Sequence, residues 1–281
     1  MNYIVLNNGL KIPQIGIGTY KVKNIQEIIN LMEYAKKANY EMLDTASYYN
    51  NEKLIGQVFK NNPSLKKQFL VSSKVWPSDF DKDNTKRSIE NSLNSLNLDT
   101  IDIMFIHWPS EGFLEAWKVF EDYYEQGVLK SIAVCNFQIK HMDKLLANAN
   151  IPPSINQIEL HPYLIQEELK DYLKKFNIKI QAWAPLGRAS QEMFNEKTLV
   201  ELANNYNKTV AQVILRWHID KGHIVIPKSA KESRINENMN IFDFSLQKDE
   251  ITTIDKLNKN HRFSQNPDDE QWLTKIRKGL N

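Results

Sequence analysis

Short apolar, β-branched runs recur along this chain with amphipathic stretches between them, and that alternation leaves few folds open. The runs are IPQIGIG from Ile12, YEMLD from Tyr40, FLVSSKV from Phe69, IDIMFIHW from Ile101, LKSIAV from Leu129, SINQIEL from Ser154, IKIQAW from Ile178 and HIVIPKS from His223. Each reads as a strand, and most are apolar on both faces, as parallel strands covered by helices are. Between them, apolar residues keep the spacing of one helix face: Ile25, Ile28, Ile29 and Met32; Leu169, Tyr172, Leu173 and Phe176; Val210, Val213, Ile214 and Trp217. Narrower stripes run through Ile89, Leu93 and Leu96, and through Ile139, Met142, Leu145 and Leu146. Eight strand–helix units in 281 residues predict an α/β fold, a (β/α)8 TIM barrel, with an open doubly wound sheet as the other arrangement the pattern allows.

No Pro/Gly/Ser-rich linker interrupts the chain, so residues 1–281 read as a single domain. Tyr3 to Ile12 reads as an N-terminal β-hairpin turning at Asn8-Gly9, placed to plug the lower mouth of a barrel. Leu246 to Leu257 predicts an extra C-terminal helix, and the tail from Asn258 reads as loop and short helix. The 36 basic and 34 acidic residues leave a net charge of +2, which offers no electrostatic footprint for a nucleic acid. The start, MNYIVLNNGLK, lacks the charged and apolar regions of a signal peptide, and no apolar run is long enough to span a bilayer. The one cysteine, Cys135, cannot close a disulfide within the chain. These features lead us to expect a cytoplasmic monomer acting on a small molecule, without a membrane or nucleic-acid partner and without a metal.

In a barrel, chemistry gathers at the C-terminal ends of the strands. Here the second strand ends at Asp44, followed by Tyr48 and Tyr49. The third ends at Lys74, the fourth at His107, and the fifth at Cys135 and Asn136. The sixth carries Asn156, Gln157 and Glu159, the seventh Trp183, and the eighth Lys228 and Ser229. Singly, each has an ordinary structural reading: a solvated lysine, an aspartate capping a turn, a core histidine, a packed tyrosine. Together, Asp44, Tyr49, Lys74 and His107 suit carbonyl reduction. A tyrosine hydroxyl can give the carbonyl oxygen its proton, although a free phenol titrates near ~10. A lysine ammonium beside it favours the phenolate and lowers that value. The aspartate would hold the lysine charged, and the histidine would orient the carbonyl. Hydride has no side-chain source and calls for a nicotinamide or flavin.

At these residues the sequence resembles the aldo-keto reductase family, from Asn8 to about Pro267. Gly9 to Thr19 is similar to the family's opening, Asp44 to Glu52 to its aspartate and tyrosine segment, Ser73 to Trp76 to its lysine segment, and Ile106 to Pro109 to its histidine segment. The resemblance implies Asp44, Tyr49 (rather than Tyr48), Lys74 and His107 as catalytic residues. It also implies NADP(H) bound across the upper face without a dinucleotide-binding domain. Consistently, Gly16-Ile-Gly18 lacks a third glycine, since Lys21 stands there.

By the same resemblance, Gly18, Thr19 and Tyr20 border the cofactor with Asp44 and Cys135. Asn136 and Gln157 hold the carboxamide, and Trp183 stacks on the nicotinamide. Ala184, Pro185, Leu186 and Gly187 surround the pyrophosphate. Lys228, Ser229 and Arg234 hold the 2′-phosphate, and Glu237 and Asn238 the adenine. Two cations near a helix N-terminus suit a phosphate on physical grounds as well. Tyr20, Tyr48, Trp76, His107 and Trp108 are the candidate substrate pocket, whose aromatic wall suits aldehydes, dicarbonyls such as methylglyoxal, and keto sugars.

The sequence departs from the family's pattern at Cys135 for serine, Trp183 for tyrosine and Ala133 for glycine. Cys135 is left as either a buried spacer or a redox sensor. Two other readings stand beside this one: a non-catalytic barrel serving as a binding subunit, and a metal-dependent hydrolase using Glu159, His161 and His107.

Overall fold

The computed structural model describes residues 2–280. Strands β1 (Tyr3–Val5) and β2 (Lys11–Pro13) form the N-terminal antiparallel hairpin. Eight parallel strands follow: β3 (Ile17–Gly18), β4 (Met42–Asp44), β5 (Leu70–Val75), β6 (Ile103–Ile106), β7 (Ile132–Cys135), β8 (Ile155–Glu159), β9 (Lys179–Trp183) and β10 (Ile224–Ile226). They hydrogen-bond in chain order. The segment around β3 then closes the ring on β10. Val225 N donates to Gln14 O at 3.0 Å, Gly16 N to Val225 O at 2.9 Å, and Gly18 N to Pro227 O at 3.1 Å. The fold is therefore the predicted (β/α)8 barrel, and the open sheet is excluded.

The run from Ile12 to Gly18 is not the single strand its sequence predicts. Its first part pairs within the hairpin, and only Ile17–Gly18 joins the ladder with β4. Pro13 has no N–H to offer a neighbouring strand. Gly16 then lies so close to the interior that a Cβ there would meet Met42 Cε at 2.7 Å and Ile226 Cδ1 at 2.9 Å.

The pleat sorts the remaining strand residues, since successive side chains point to opposite faces. Met42, Phe105, Cys135, Ile155 and Ile226 are among those that fill the interior, and Leu6 and Ile12 of the hairpin join them at the lower mouth. Leu43, Val71, Val75, Met104, Val134 and Ile158 belong instead to the layer between strands and helices. By the same alternation Asp44, Lys74 and Gln157 point inward at the upper end.

Helix Ile25–Lys37 shows how the outer layer is built. Asn24 Oδ1 accepts from Glu27 N at 2.8 Å, a cap that contributes about 1 kcal/mol. Ile28, Leu31 and Met32 are fully buried, each contributing roughly 1.5–3 kcal/mol. Two members of the predicted stripes fall outside the buried face. Ile25 is the first helical residue, and its Cβ tilts toward the open N-terminal end of the helix. Phe176 lies past the last turn of helix Glu167–Lys175, where the helical phase is lost.

Three helices, Gln191–Phe194, Lys197–Tyr206 and Val210–Asp220, lie between β9 and β10. The C-terminal helix expected near Leu246 spans Lys248–Asp255, and the tail adds Glu270–Arg277. Among the described residues no helix is long and apolar enough to cross a membrane.

Candidate active site

After Asp44 the chain crosses the top of the barrel. Ser47–Tyr49 form one 3₁₀ turn, ended by Asn50 at φ +56°, a left-handed conformation asparagine tolerates better than most residues. Fully buried Asn51 fixes this turn. Its Oδ1 accepts from Thr45 Oγ1 at 2.7 Å, and its Nδ2 donates to Thr19 O at 2.9 Å and Val22 O at 3.1 Å. One amide thus stitches two loops together and brings the Tyr20 and Tyr49 rings within 5.0 Å. Sequence reasoning missed Asn51, whose only signal is a polar residue near a strand end.

Lys74, on the neighbouring strand β5, reaches beneath Tyr49. Its ammonium has three protons and three acceptors: Asp44 Oδ2 at 2.6 Å, Thr45 O at 2.8 Å and Tyr49 Oη at 3.3 Å. Burial alone pushes the ammonium's pKa down, but the Asp44 carboxylate outweighs it and holds Lys74 above the usual lysine range. Asp44 Oδ1 is held in turn by Ser72 Oγ at 2.9 Å and Gln157 Nε2 at 3.0 Å.

Tyr49 Oη accepts from Lys74, and its own hydroxyl hydrogen has no acceptor among the described residues. Lys74 does lower the phenol's pKa, as the sequence argument has it, but it does not decide the net shift. Burial pushes it up, and Asp44 offsets part of what Lys74 takes away. Tyr49 therefore carries its proton at neutral pH.

His107 lies beside this group, its ring 5.9 Å from that of Tyr49. Burial, then the Lys74 charge, pushes its pKa well below the usual histidine value, so the ring is neutral. Its Nδ1 is buried without a partner among the described residues. A neutral imidazole carries one N–H, and a buried unpaired N–H is costlier than a bare acceptor, so the proton belongs on Nε2.

The aromatic residues gather on one side. Tyr48 stacks on Trp76 at 3.9 Å, and Trp76 meets the His107 ring edge-on at 5.0 Å. Tyr20 stands at the rim, 40% exposed. Trp108 packs edge-on against Trp272 at 4.3 Å, in a cluster with Trp76, Leu273 and Ile276. The tail helix Glu270–Arg277 is thereby brought over the aromatic side. Arg277 Nη1 donates to Pro77 O at 3.2 Å and Ser78 O at 3.1 Å, and Ser110 Oγ to Leu273 O at 2.9 Å.

The remaining candidates form a track around the upper face. Asn136, at φ +64°, donates from Nδ2 to His107 O at 3.2 Å and accepts from Trp183 Nε1 at 2.8 Å. That second bond needs an indole N–H, so the departure from tyrosine at Trp183 has a structural use. Gln157 is more committed than its sequence position suggests: Nε2 donates to Asp44 and to Gln181 Oε1 (2.6 Å), and Oε1 faces Cys135 Sγ at 3.7 Å. Fully buried Gln181 also escaped the sequence reading, though a glutamine in the apolar run IKIQAW is a signal. Asn156 points the other way and binds the Phe137 backbone.

Burial raises the Cys135 thiol well above its usual pKa, so it holds little thiolate and makes a spacer rather than a sensor. His161 Nε2 pairs with Glu159 Oε1 at 3.2 Å. Among the described residues no group of three metal-ligating side chains is assembled.

Ala184 and Gly187 take positive φ, +47° and +53°. A Cβ on Gly187 would meet Met193 Cε at 2.6 Å and Phe263 Cε2 at 2.9 Å. Arg188, not anticipated from sequence, lies 5.9 Å from the centre of the Trp183 ring. Beyond β10, Ser229 Oγ accepts from Lys231 N at 3.1 Å just before helix Glu232–Met239. Lys228 and Arg234 are exposed and form no ion pair among the described residues. Glu237 accepts from Thr209 Oγ1 at 2.7 Å, while the nearly buried Asn238 has no side-chain partner among the described residues.

Residues 14–259 match the profile of the Aldo/keto reductase family. The chain is 40% identical to a glyoxal reductase of Bacillus subtilis over 267 residues, 95% of this chain and 96% of that one. It is 38% identical to a methylglyoxal reductase of Escherichia coli over 268 residues, 94% and 96% of the two chains. A crystal structure of a Bombyx mori aldo-keto reductase in complex with NADP superposes with a TM-score of 0.88 at 32% identity, covering 96% of each chain. With the barrel closed, the Asp44–Lys74–Tyr49 group assembled at its upper end, and the match running through both, this chain belongs to the aldo/keto reductase family.

Proposed function

We propose that this protein reduces small aldehydes and α-dicarbonyls to alcohols with NADPH, using Tyr49 as the acid. One observation carries the proposal. Tyr49 Oη is fixed by the Lys74 ammonium at 3.3 Å, while its own proton has no acceptor among the described residues. That proton is free for a substrate oxygen.

The residues present fit NADP(H). Lys228 and Arg234 are cations without counter-ions among the described residues, suited to a 2′-phosphate as a charge-assisted pair. Asn238 offers the adenine an amide with no side-chain partner among the described residues, and Gly187, at φ +53°, turns the loop on which the resemblance places the pyrophosphate. When bound, the cofactor supplies the hydride that no side chain can.

The chain's own residues do the rest. His107, neutral and with its N–H on Nε2, donates to the carbonyl oxygen and polarises it. Tyr49 gives the same oxygen its proton as negative charge develops there. Lys74 stabilises the phenolate left behind, and Asp44 keeps Lys74 charged and aimed. The alcohol leaves, and Tyr49 regains a proton from solvent. The Tyr48, Trp76 and Tyr20 rings offer an apolar wall to a compact substrate. Glyoxal and methylglyoxal reductases among the relatives support the dicarbonyl class.

The test is Tyr49→Phe with methylglyoxal, followed by nicotinamide absorbance. NADPH binding should be retained while turnover falls by about 10²–10⁴-fold. A variant keeping most of its turnover would mean that another group is the acid.

A further inference from the structure

Outside the catalytic group, one buried carboxylate joins three parts of the upper face. Glu159, at the end of β8, is 1% exposed. Its Oε1 accepts from Phe263 N at 2.7 Å and pairs with His161 Nε2 at 3.2 Å. Its Oε2 is buried without a partner among the described residues. Phe263 belongs to a strap, residues 258–263, that connects helix Lys248–Asp255 to the tail. The strap is sewn to the loop after β8: Lys259 N and His261 N both donate to Tyr163 O, at 3.1 and 3.0 Å.

The far side of the strap touches the loop after β9. The Phe263 ring lies against Gly187 so closely that a methyl there would sit 2.9 Å from Phe263 Cε2. Lys259 Nζ binds Glu192 Oε1 at 2.7 Å, just beyond the same loop. Below Phe263, the His161 ring lies 5.0 Å away. Arg262, half-buried, donates to Gln166 Oε1 at 3.2 Å, and Gln166 Nε2 donates to the backbone oxygen of Glu159. The strap is thus fastened at Glu159 and presses on Gly187.

We infer that Glu159 is a positioning residue for the cofactor: by holding Phe263 it fixes the strap that braces the Gly187 loop and slows cofactor departure. The inference rests on the reading of residues 184–187 as the pyrophosphate loop. A buried carboxylate is well suited to the task, because a charged acceptor makes a shorter and stronger bond to a backbone N–H than a neutral one. Removing it leaves the Phe263 N–H unpaired, which favours displacement of the strap.

The experiment measures NADPH binding and release by tryptophan fluorescence in stopped flow, on folded full-length protein. Phe263→Ala, at a half-buried position, is the primary variant, with Glu159→Ala and Glu159→Gln beside it. Phe263→Ala and Glu159→Ala should each raise the dissociation rate and the dissociation constant by roughly fivefold. The double variant should be no worse than either single, because both cut the same connection. Glu159→Gln, which keeps an oxygen for Phe263 N–H but not the charge, should fall between the wild-type and Glu159→Ala rates. A folded Phe263→Ala protein that releases NADPH at the wild-type rate overturns the inference. So do additive effects in the double variant. Wild-type protein that binds no NADPH overturns the cofactor reading itself, an outcome distinct from binding that the variants leave unchanged.

Discussion

Asp44→Asn separates the charge of the buried pair from its shape. The amide has the outline of the carboxylate, but only one of its two terminal atoms accepts. Both faces of Asp44 meet donors: Lys74 Nζ on one side, Ser72 Oγ and Gln157 Nε2 on the other. Whichever way the amide turns, its NH₂ group faces a donor. The two side chains are 0% and 5% exposed, so solvent does not soften the loss.

Removing one partner of such a pair costs about 3–5 kcal/mol, and the lower end applies because Lys74 can shed its proton. At roughly 2 °C per kcal/mol for a chain of this size, the melting temperature falls by about 6 °C. Turnover falls by about 10²-fold or more, because a neutral Lys74 no longer supports the Tyr49 phenolate.

The pH dependence fixes the cause. In the wild type Lys74 is held above its unfolded pKa, so the pair's stabilisation is complete at neutral pH and is lost only as pH rises past about 10. In Asp44→Asn burial dominates and Lys74 falls below its unfolded value. The unfolded chain then binds the extra proton, and the variant gains stability as pH rises. The gap between the two proteins should be widest near neutrality and narrow toward about pH 10, read by thermal denaturation. A gap that stays constant or widens with pH would show that lost hydrogen bonding, not the stranded charge, sets the cost. Unchanged turnover would refute the role given to Asp44.

Three further outcomes are expected. Lys228→Met and Arg234→Ala should each weaken NADPH binding by about 10-fold or more, with NADH unaffected, as titration of both nucleotides would read out; equal losses for both would place the 2′-phosphate elsewhere. Gly187→Ala combines a left-handed backbone, costing about 1 kcal/mol, with a methyl driven into Met193 and Phe263, so it should lower both the melting temperature and NADPH affinity. For the pH profile, Tyr49 keeps its proton below a raised pKa and His107 gains charge only below a lowered one. Carbonyl reduction should therefore be level between about pH 6 and 8, and a titration of kcat inside that window would contradict the stated protonation states.

Much of this protein is written locally. Apolar runs and helical stripes predict the eight units, and the polar residues at the ends of those runs name Asp44, Lys74 and His107 before any contact is known. Periodicity survives in sequence because each strand and helix must bury its own face. Non-local details were not legible in this way. The run at Ile12 divides because closing the ring on Val225 demands it, a partner far away in the chain. Asn51 and Gln181 matter through atoms that folding brings to them. The sign of the Tyr49 shift depends on how deeply the phenol is buried and on Asp44 opposing Lys74, and neither is visible in a spacing. Likewise Glu159 looks like one more strand-end carboxylate until the strap at Phe263 arrives over it. The chain by itself determined which side chains stand at the rim. Their protonation states and partners were set only when strands distant in sequence closed into a ring, because burial and electrostatic contact act through space rather than along the backbone.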